Sequence, residues 1–126
     1  MAALAMIKGV TIAPRKVGVV AALVRGRSVA DAMVILSHTP RRSATAVKKA
    51  IESAAANAEN NHGYKPSSLM ITEISVTAGP RLKRMMPVAR GMGHPFQKKT
   101  SHIRVIVDGD KREVKAKTAV KKEEDK

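Results

Sequence analysis

The sequence contains no cysteine and no tryptophan, and it has only one tyrosine and one phenylalanine among its 126 residues. The lack of cysteine excludes disulfide bonds, thiolate metal ligands and a cysteine nucleophile. Proteins that read single-stranded bases usually stack several aromatic rings on them, and this chain offers almost none. Any recognition of nucleic acid by this chain is therefore expected to depend on shape and charge.

Long apolar runs are also missing from the sequence. No segment approaches the roughly 20 consecutive apolar residues that span a bilayer, and the mildly apolar start is followed by Lys8 and Gly9 with no basic leader before it. The basic residues do not lie opposite a bulky apolar helical face, as membrane-surface helices require. The sequence therefore predicts no membrane association and no secretory signal, which favours a cytoplasmic protein.

Motifs of catalytic and metal-binding sites are absent as well. The four histidines, His38, His62, His94 and His102, lack the close spacing of metal ligands on one helix. No serine lies in a nucleophile elbow, and no glycine-rich loop is followed by Lys and Ser or Thr as in a phosphate-binding loop. We therefore predict that the chain is not an enzyme and has no catalytic residue, metal, cofactor or small-molecule substrate.

Acidic residues are few compared with basic ones. The chain has 24 Lys and Arg against 10 Asp and Glu, for a formal net charge of +14. A folded chain of this charge repels itself unless it meets a polyanion. The charge balance therefore indicates a phosphate backbone as the partner.

The first part of the chain predicts one strand followed by two short helices. Apolar and β-branched residues at 3–12 favour the strand. Apolar positions at helical spacing predict a first helix between Pro14 and Gly26, with basic residues at both ends. A second helix is predicted from about Val29 to Ser37, with Ser28 as its N-cap.

A third, longer helix is predicted after these two. Thr39 is expected to be its N-cap, with Pro40 in its first turn, and Gly63 is expected to end it. Its buried face is predicted to consist of Val47, Ala50, Ile51, Ala54 and Ala58.

The second half of the chain predicts two strands that pair antiparallel. The run at 69–78 alternates with a period of two, and the run at 102–107 alternates in the same way. The alternation in the first run places Met70, Thr72, Ile74 and Val76 on one predicted face.

The segment between these two strands carries charge of one sign only. No acidic residue lies between Glu73 and Asp108, whereas seven basic residues do: Arg81, Lys83, Arg84, Arg90, Lys98, Lys99 and Arg104. A strand over 70–84 rises about 45 Å at roughly 3.3 Å per residue, which exceeds the roughly 26 Å expected for a 100-residue domain. We therefore predict a protruding β-hairpin, which needs another molecule along its length because an isolated ribbon is marginal in water.

These patterns predict one α+β domain at 1–109, with a hairpin at about 75–104 and a tip at about 84–95 that is rich in proline and glycine. Residues 110–126 contain seven basic and five acidic residues and almost no large apolar group. This composition predicts a charged, disordered tail.

Four blocks of the sequence occur in an order that is specific to one known family. They are KVGVVAALVRGR at 16–27, KKAIESAAANAENN at 48–61, GPRLKRMMPVARG at 79–91 and KKTSHIRVIV at 98–107. Through these blocks, the chain from about Met6 to Val107 resembles the bacterial large-subunit ribosomal protein twenty-two family. The resemblance implies an α+β fold, with three helices packed on a small three-stranded antiparallel sheet and a long protruding β-hairpin.

The resemblance also implies a function. Members of this family bind and organise large-subunit ribosomal RNA during assembly, and their basic hairpin lines the nascent-peptide exit tunnel. The expected partners are large-subunit ribosomal RNA, neighbouring large-subunit ribosomal proteins and the nascent polypeptide in the exit tunnel. An alternative from another class shares the charge and the scarcity of aromatic residues, namely a free-standing basic nucleic-acid chaperone or architectural DNA-binding protein.

Two sets of residues make up the predicted site. The predicted RNA-binding residues are Arg15, Lys16, Arg25, Arg27, Arg81, Lys83, Arg84, Arg90, Lys98, Lys99 and Arg104. The predicted tunnel tip consists of Arg84, Met85, Met86, Pro87, Val88, Ala89, Arg90, Gly91, Met92 and Gly93.

Overall fold

The structure, a computed structural model, describes residues 2–110, so the tail predicted for 110–126 lies outside the described residues except for Asp110. The elements are β1 (Ala3–Val10), α1 (Pro14–Val24), α2 (Val29–His38), α3 (Arg42–His62), β2 (Met70–Ala78), β3 (Leu82–Pro87), β4 (Gly93–Lys98) and β5 (Ser101–Asp108). The three helices pack against an antiparallel sheet of β1, β5 and β2, and β3 pairs with β4 in a second sheet. The predicted α+β class is therefore confirmed.

The two short helices form where their capping residues predict. Pro14 occupies the first turn of α1, and the face of this helix formed by Val17, Val20, Ala21 and Val24 is fully buried. Ser28 caps α2, because its hydroxyl accepts a hydrogen bond from the N–H of Asp31 at 3.3 Å. A side-chain oxygen in this position satisfies an N–H group that has no acceptor within the helix.

The long helix begins two residues later than predicted. It starts at Arg42 with Arg41 as N-cap, and no side chain caps it. Thr39 instead ends α2, where its hydroxyl donates to the carbonyl oxygen of Ile35 at 2.7 Å. The prediction that Thr39 caps α3 was therefore wrong, because its hydroxyl is already committed to the preceding helix.

The predicted buried face of α3 is confirmed, and its small residues allow close packing on the sheet. Ala50, Ala54 and Ala58 recur every four residues and are fully buried, and α3 packs on β1, which contributes Ala3 and Ala5. Short side chains on both elements let the two backbones approach closely. The helix ends as predicted at a glycine with a positive φ of 67°, a conformation that glycine adopts at little cost.

A β-bulge in β2 changes the predicted inner face of the sheet. Ile71 pairs with Val107, but Glu73 already pairs with Ile106, so the register shifts at this point. As a result Ile71 and Ile74 both point into the core, whereas Met70 is half exposed. The predicted face that grouped Met70 with Ile74 was wrong, because an extra residue reverses the alternation beyond it.

Candidate nucleic-acid interface

The predicted hairpin is built as two ladders in series. The first ladder is the pairing of β2 with β5, which ends with Ala78 opposite Ser101. The second is β3 with β4, which runs from the pair Leu82 and Lys98 to the pair Pro87 and Gly93. Within residues 2–110, β3 and β4 make extensive contacts only with each other. The far half of the hairpin is therefore a ribbon that stands clear of the core.

The ladder of β3 and β4 continues past the prolines in both strands. The N–H of Val88 donates to the carbonyl oxygen of Met92 at 3.0 Å, which makes this a hydrogen-bonded pair. Antiparallel pairs alternate between hydrogen-bonded and non-hydrogen-bonded types. Pro87 and Pro95 lie in pairs that are one and three steps along the ladder from the pair of Val88 and Met92. Both pairs are therefore of the non-hydrogen-bonded type. A proline is tolerated there because its missing N–H would have pointed away from the partner strand.

Both faces of the ribbon are exposed and carry basic residues. Opposite residues share a face, so Arg84 and Phe96 lie on one face and Lys83 and Gln97 lie on the other. Apolar side chains are exposed on both faces too, with Met85 on one and Met86 on the other. A ribbon of this kind has no face that is covered by the body, which fits a partner that surrounds it.

The ribbon closes through a tight turn at Val88–Met92. Arg90 adopts a positive φ of 63° and is followed by Gly91 with a φ of 68°. Arg90 is the only residue other than glycine with a positive φ among the described residues. This conformation costs a residue with a Cβ atom about 1–3 kcal/mol, and such residues cluster at functional positions. The turn therefore presents an arginine at the far end of the ribbon.

Close contacts at one glycine join the ribbon to the body. The N–H of Gly79 donates to the carbonyl oxygen of Thr100 at 2.8 Å, and the Thr100 hydroxyl donates to the carbonyl oxygen of Pro80 at 2.6 Å. A Cβ atom at Gly79 would lie 3.2 Å from the backbone carbon of Thr100 and would overlap the Thr100 hydroxyl. The absence of a side chain at Gly79 is thus required where the two arms leave the body.

The structure brings three of the predicted RNA-binding residues together at the base of the ribbon. Lys16, from the first turn of α1, lines one cavity of about 510 Å³ together with Lys98 and Lys99. These residues are exposed, and no acidic residue lines this cavity. The cavity therefore continues the positive surface of the ribbon onto the body.

The remaining predicted residues on the body lie apart from this cluster. Arg25 and Arg27 follow the C-terminal end of α1, about 16 Å along the helix from its start at roughly 1.5 Å per residue. Arg25 donates to the carbonyl oxygen of Ile74 and Arg27 to that of Leu23, both at 2.9 Å. Both arginines therefore also brace the end of α1. Arg15 lies at the start of the same helix but lines none of the cavities around the ribbon base.

Arg81 and Arg104 complete the predicted set. Arg81 lies in the exposed junction between β2 and β3. Arg104 is exposed in β5 and lies opposite Met6 and Ser75 in the neighbouring strands.

Sequence reasoning missed three basic residues that the fold adds to this surface. Arg41, Arg42 and Lys49 are exposed and line cavities that adjoin the ribbon base through Thr11. They lie more than 20 residues before the hairpin in sequence, so no local pattern connects them to it. The adjacent basic residues Arg41 and Arg42, which directly follow Pro40 at the predicted start of the third helix, are the one sequence signal for this part of the surface.

Metal sites and membrane-spanning helices are not found in the described part of the chain. In residues 2–110, no three His, Asp or Glu side chains come close enough to hold a metal ion. None of the helices in the same range is both long enough and apolar enough to cross a bilayer.

The architecture is thus an α+β body that bears a basic two-stranded ribbon, and comparison with known proteins identifies its family. The sequence profile of ribosomal protein L22p/L17e matches residues 5–108. The large ribosomal subunit protein uL22 of Desulforamulus reducens is 45% identical over 113 residues, which cover 90% of this chain and 99% of that protein. The chain belongs to the ribosomal protein L22p/L17e family.

Proposed function

We propose that this chain is a structural component of the large ribosomal subunit, and that it acts by binding large-subunit ribosomal RNA in the cytoplasm. Membership of the L22p/L17e family and the similarity to a large-subunit protein support the assignment to that subunit. A structural role of this kind requires no catalytic residue and no cofactor.

The observation that carries the RNA-binding part of the proposal is the ribbon of β3 and β4. Its two faces are exposed and basic, and the chain has no acidic residue from Ile74 to Val107. Arginine and lysine side chains neutralise phosphates and release the counterions condensed around them, which drives association. RNA that surrounds the ribbon would offset the charge on both faces at once.

The tip is proposed to lie in the wall of the nascent-peptide exit tunnel, as the resemblance to the family implies. The geometry of the turn supports this role, since it presents Arg90 on a strained backbone and Met92 with 69% of its surface exposed. Flexible, polarisable methionines suit a surface that meets many different peptide segments. The tip is also remote from the helices that form the core.

Variants that remove charge from the ribbon test the RNA-binding proposal. The double variant K83Q/R84Q is compared with K8Q/K65Q, which loses the same charge from exposed positions outside the ribbon. Binding of the purified chain to a large-subunit ribosomal RNA transcript is measured as a function of salt concentration. We expect the ribbon variant to lower the slope of log affinity against log salt by about one to two, since each phosphate contact contributes about 0.7–0.9. Equal losses in the two variants would contradict RNA binding by the ribbon.

The same assay distinguishes the alternative function. A nucleic-acid chaperone or architectural DNA-binding protein should bind duplex DNA as tightly as the ribosomal transcript at equal salt. The proposed function predicts a preference for the folded transcript over duplex DNA. A ribbon that is exposed on two faces fits a cleft of structured RNA better than it fits a single groove of duplex DNA. Unlabelled duplex DNA that displaces the transcript at equal concentration would favour the alternative.

A photoreactive amino acid at position 92 tests the tunnel proposal. Ribosomes that contain this variant are programmed with a truncated message, so that a nascent chain fills the tunnel. The control carries the same group at Val34, which is 60% exposed on the body. We expect crosslinks to the nascent chain from position 92 alone. Fully incorporated protein that gives no crosslink from position 92 would overturn the tunnel placement.

A further inference from the structure

Two helix N-termini open into one cavity on the body beside the ribbon base. The cavity has a volume of about 370 Å³. From α1 it is lined by Ala13, the N-cap, and Lys16 in the first turn, and from α3 by Arg41, the N-cap, with Arg42 and Ser43 of the first turn. The positive ends of two helix dipoles therefore face the same space.

Neither helix satisfies its own N-terminus. No side chain caps α1 or α3, and neither has an acidic residue in its first turn. The N–H groups of Arg42 and Ser43 have no acceptor within α3, because no helical carbonyl oxygen precedes the first N–H groups of a helix. By contrast, α2 has both a capping serine and an aspartate in its first turn. The two uncapped ends are the two that meet at the cavity.

Ser43 supplies an independent indication that the cavity takes a ligand. Its side chain is only 4% exposed, and the residue lines the cavity. Within residues 2–110, the Ser43 hydroxyl has no hydrogen-bond partner. Unlike the hydroxyl of Ser101, it is not fully enclosed by protein, so a molecule in the cavity can reach it. The cavity thus offers an unused hydroxyl donor beside unused backbone donors.

The charges around the cavity favour an anion as the ligand, and the adjoining cavities indicate a row of several anions. Lys16, Arg41 and Arg42 line the cavity without any acidic residue. Lys16 also lines the cavity at the ribbon base, and Arg42 also lines a third cavity that includes Lys49. Together the three cavities, which share Thr11, form a continuous basic groove from Lys99 to Lys49.

We propose that the cavity at Ser43 binds one phosphate of the ribosomal RNA backbone, and that the same strand follows the basic groove to the ribbon. The Ser43 hydroxyl and the N–H groups of Arg42 and Ser43 donate to the phosphate oxygens, while Lys16 and Arg41 neutralise its charge. The inference rests on the proposed RNA-binding function and adds a site for the strand on the body. None of these α3 residues was expected from the sequence to bind RNA.

A carboxylate placed at Ser43 would occupy the position of the phosphate and tests the site directly. We expect S43D to fold, since an aspartate in the first turn of α3 is favourable beside the helix dipole. The matched control is S53D, which introduces the same charge at an exposed position of the same helix that lines none of the three cavities. Affinity for the ribosomal RNA transcript should fall about tenfold or more in S43D. It should fall less than about threefold in S53D, where the added charge is screened.

A titration of the unaltered chain with inorganic phosphate tests the site without RNA. The amide resonances of Arg42 and Ser43 should shift saturably, and those at the start of α2 should not, because α2 is already capped by Ser28. This measurement decides the question by itself if S43D does not fold. It also separates the two proposals, since a chain that fails to bind the transcript but still binds phosphate contradicts the RNA-binding function while the anion site at Ser43 stands.

Two results would overturn the inference. One is equal loss of transcript affinity in folded S43D and S53D. The other is a phosphate titration in which the amides of Arg42 and Ser43 respond no more than those of α2.

Discussion

Replacement of Gly79 by alanine perturbs the junction that aims the ribbon. The added Cβ atom would overlap the Thr100 hydroxyl and press against the Thr100 backbone. The hydroxyl cannot keep its hydrogen bond to the Pro80 carbonyl, at 2.6 Å, while it moves aside. Because Gly79 has no positive φ, the penalty is steric and does not come from backbone strain.

The magnitude follows from the contacts at the junction. Loss of the Thr100 hydrogen bond costs about 0.5–1.5 kcal/mol, and displacement of the backbone endangers the bond from the Gly79 N–H as well. The lower entropy of the unfolded alanine chain offsets about 0.4–1 kcal/mol of this. We expect G79A to lower the free energy of unfolding by about 1 kcal/mol, which is a decrease of about 4–8 °C in Tm for a domain of this size.

Replacement of Gly18 by alanine is a control that should change the stability in the opposite direction. It lies inside α1, and a Cβ atom there would meet nothing within 4 Å. Since alanine is favoured over glycine in a helix interior by about 0.8–1 kcal/mol, G18A should raise the Tm by a similar amount.

Thermal unfolding followed by circular dichroism measures both variants, and binding to the ribosomal RNA transcript shows whether the ribbon is still correctly aimed. Affinity should fall in G79A and stay unchanged in G18A. If G79A unfolds at the wild-type temperature and binds the transcript normally, the junction does not fix the ribbon and our reasoning is wrong.

Three further predictions concern the core and the ribbon. Burial, followed by the charge and the hydrogen bond of Asp108, raises the pKa of Tyr64 above its usual value of 10.0. The neutral phenol is therefore favoured in the folded chain, so the stability advantage of wild type over Y64F should be present below pH 10 and decline as the pH rises through the raised pKa. Urea unfolding between pH 8 and about 11.5 measures this decline, and a constant difference would contradict it. Ser101 is fully buried, and its hydroxyl has no partner among the described residues. S101A should therefore raise the free energy of unfolding by about 1 kcal/mol in the same assay. A decrease of that size would show that the hydroxyl has a hydrogen-bond partner. Deletion of 82–84 would move Pro87 opposite Phe96, into a hydrogen-bonded pair for which proline has no N–H. Amide exchange in the ribbon should therefore accelerate. Deletion of 96–98 in addition should restore the register and slow exchange. Equal exchange in the two deletions would refute this prediction.

Much of the fold could be predicted because its signals are local. Ser28 caps a helix three residues before Asp31, and Gly63 ends one by adopting a positive φ. The alternation of Ile103, Val105 and Val107 survives intact because β5 is the central strand, with neighbours on both sides. Local patterns of this kind depend only on residues a few positions apart.

The errors arose where a distant residue decides the outcome. The hydroxyl of Thr39 suits either the end of α2 or the start of α3, and the path of the chain between the helices selects the first. The bulge after Ile71 depends on the register with β5, more than 30 residues away. The basic groove draws on residues 11–16, 41–49 and 97–100, which become neighbours only in the folded chain.

The central claim is that this chain is a structural component of the large ribosomal subunit, held there by RNA. Its most direct test is sedimentation of a cell extract that contains the tagged full chain through a sucrose gradient, after a wash in high salt. We expect the chain to migrate with the large subunits, in a constant ratio to their RNA, and to remain there after the wash. A chain that stays at the top of the gradient, or that leaves the subunits and follows DNA, would contradict it.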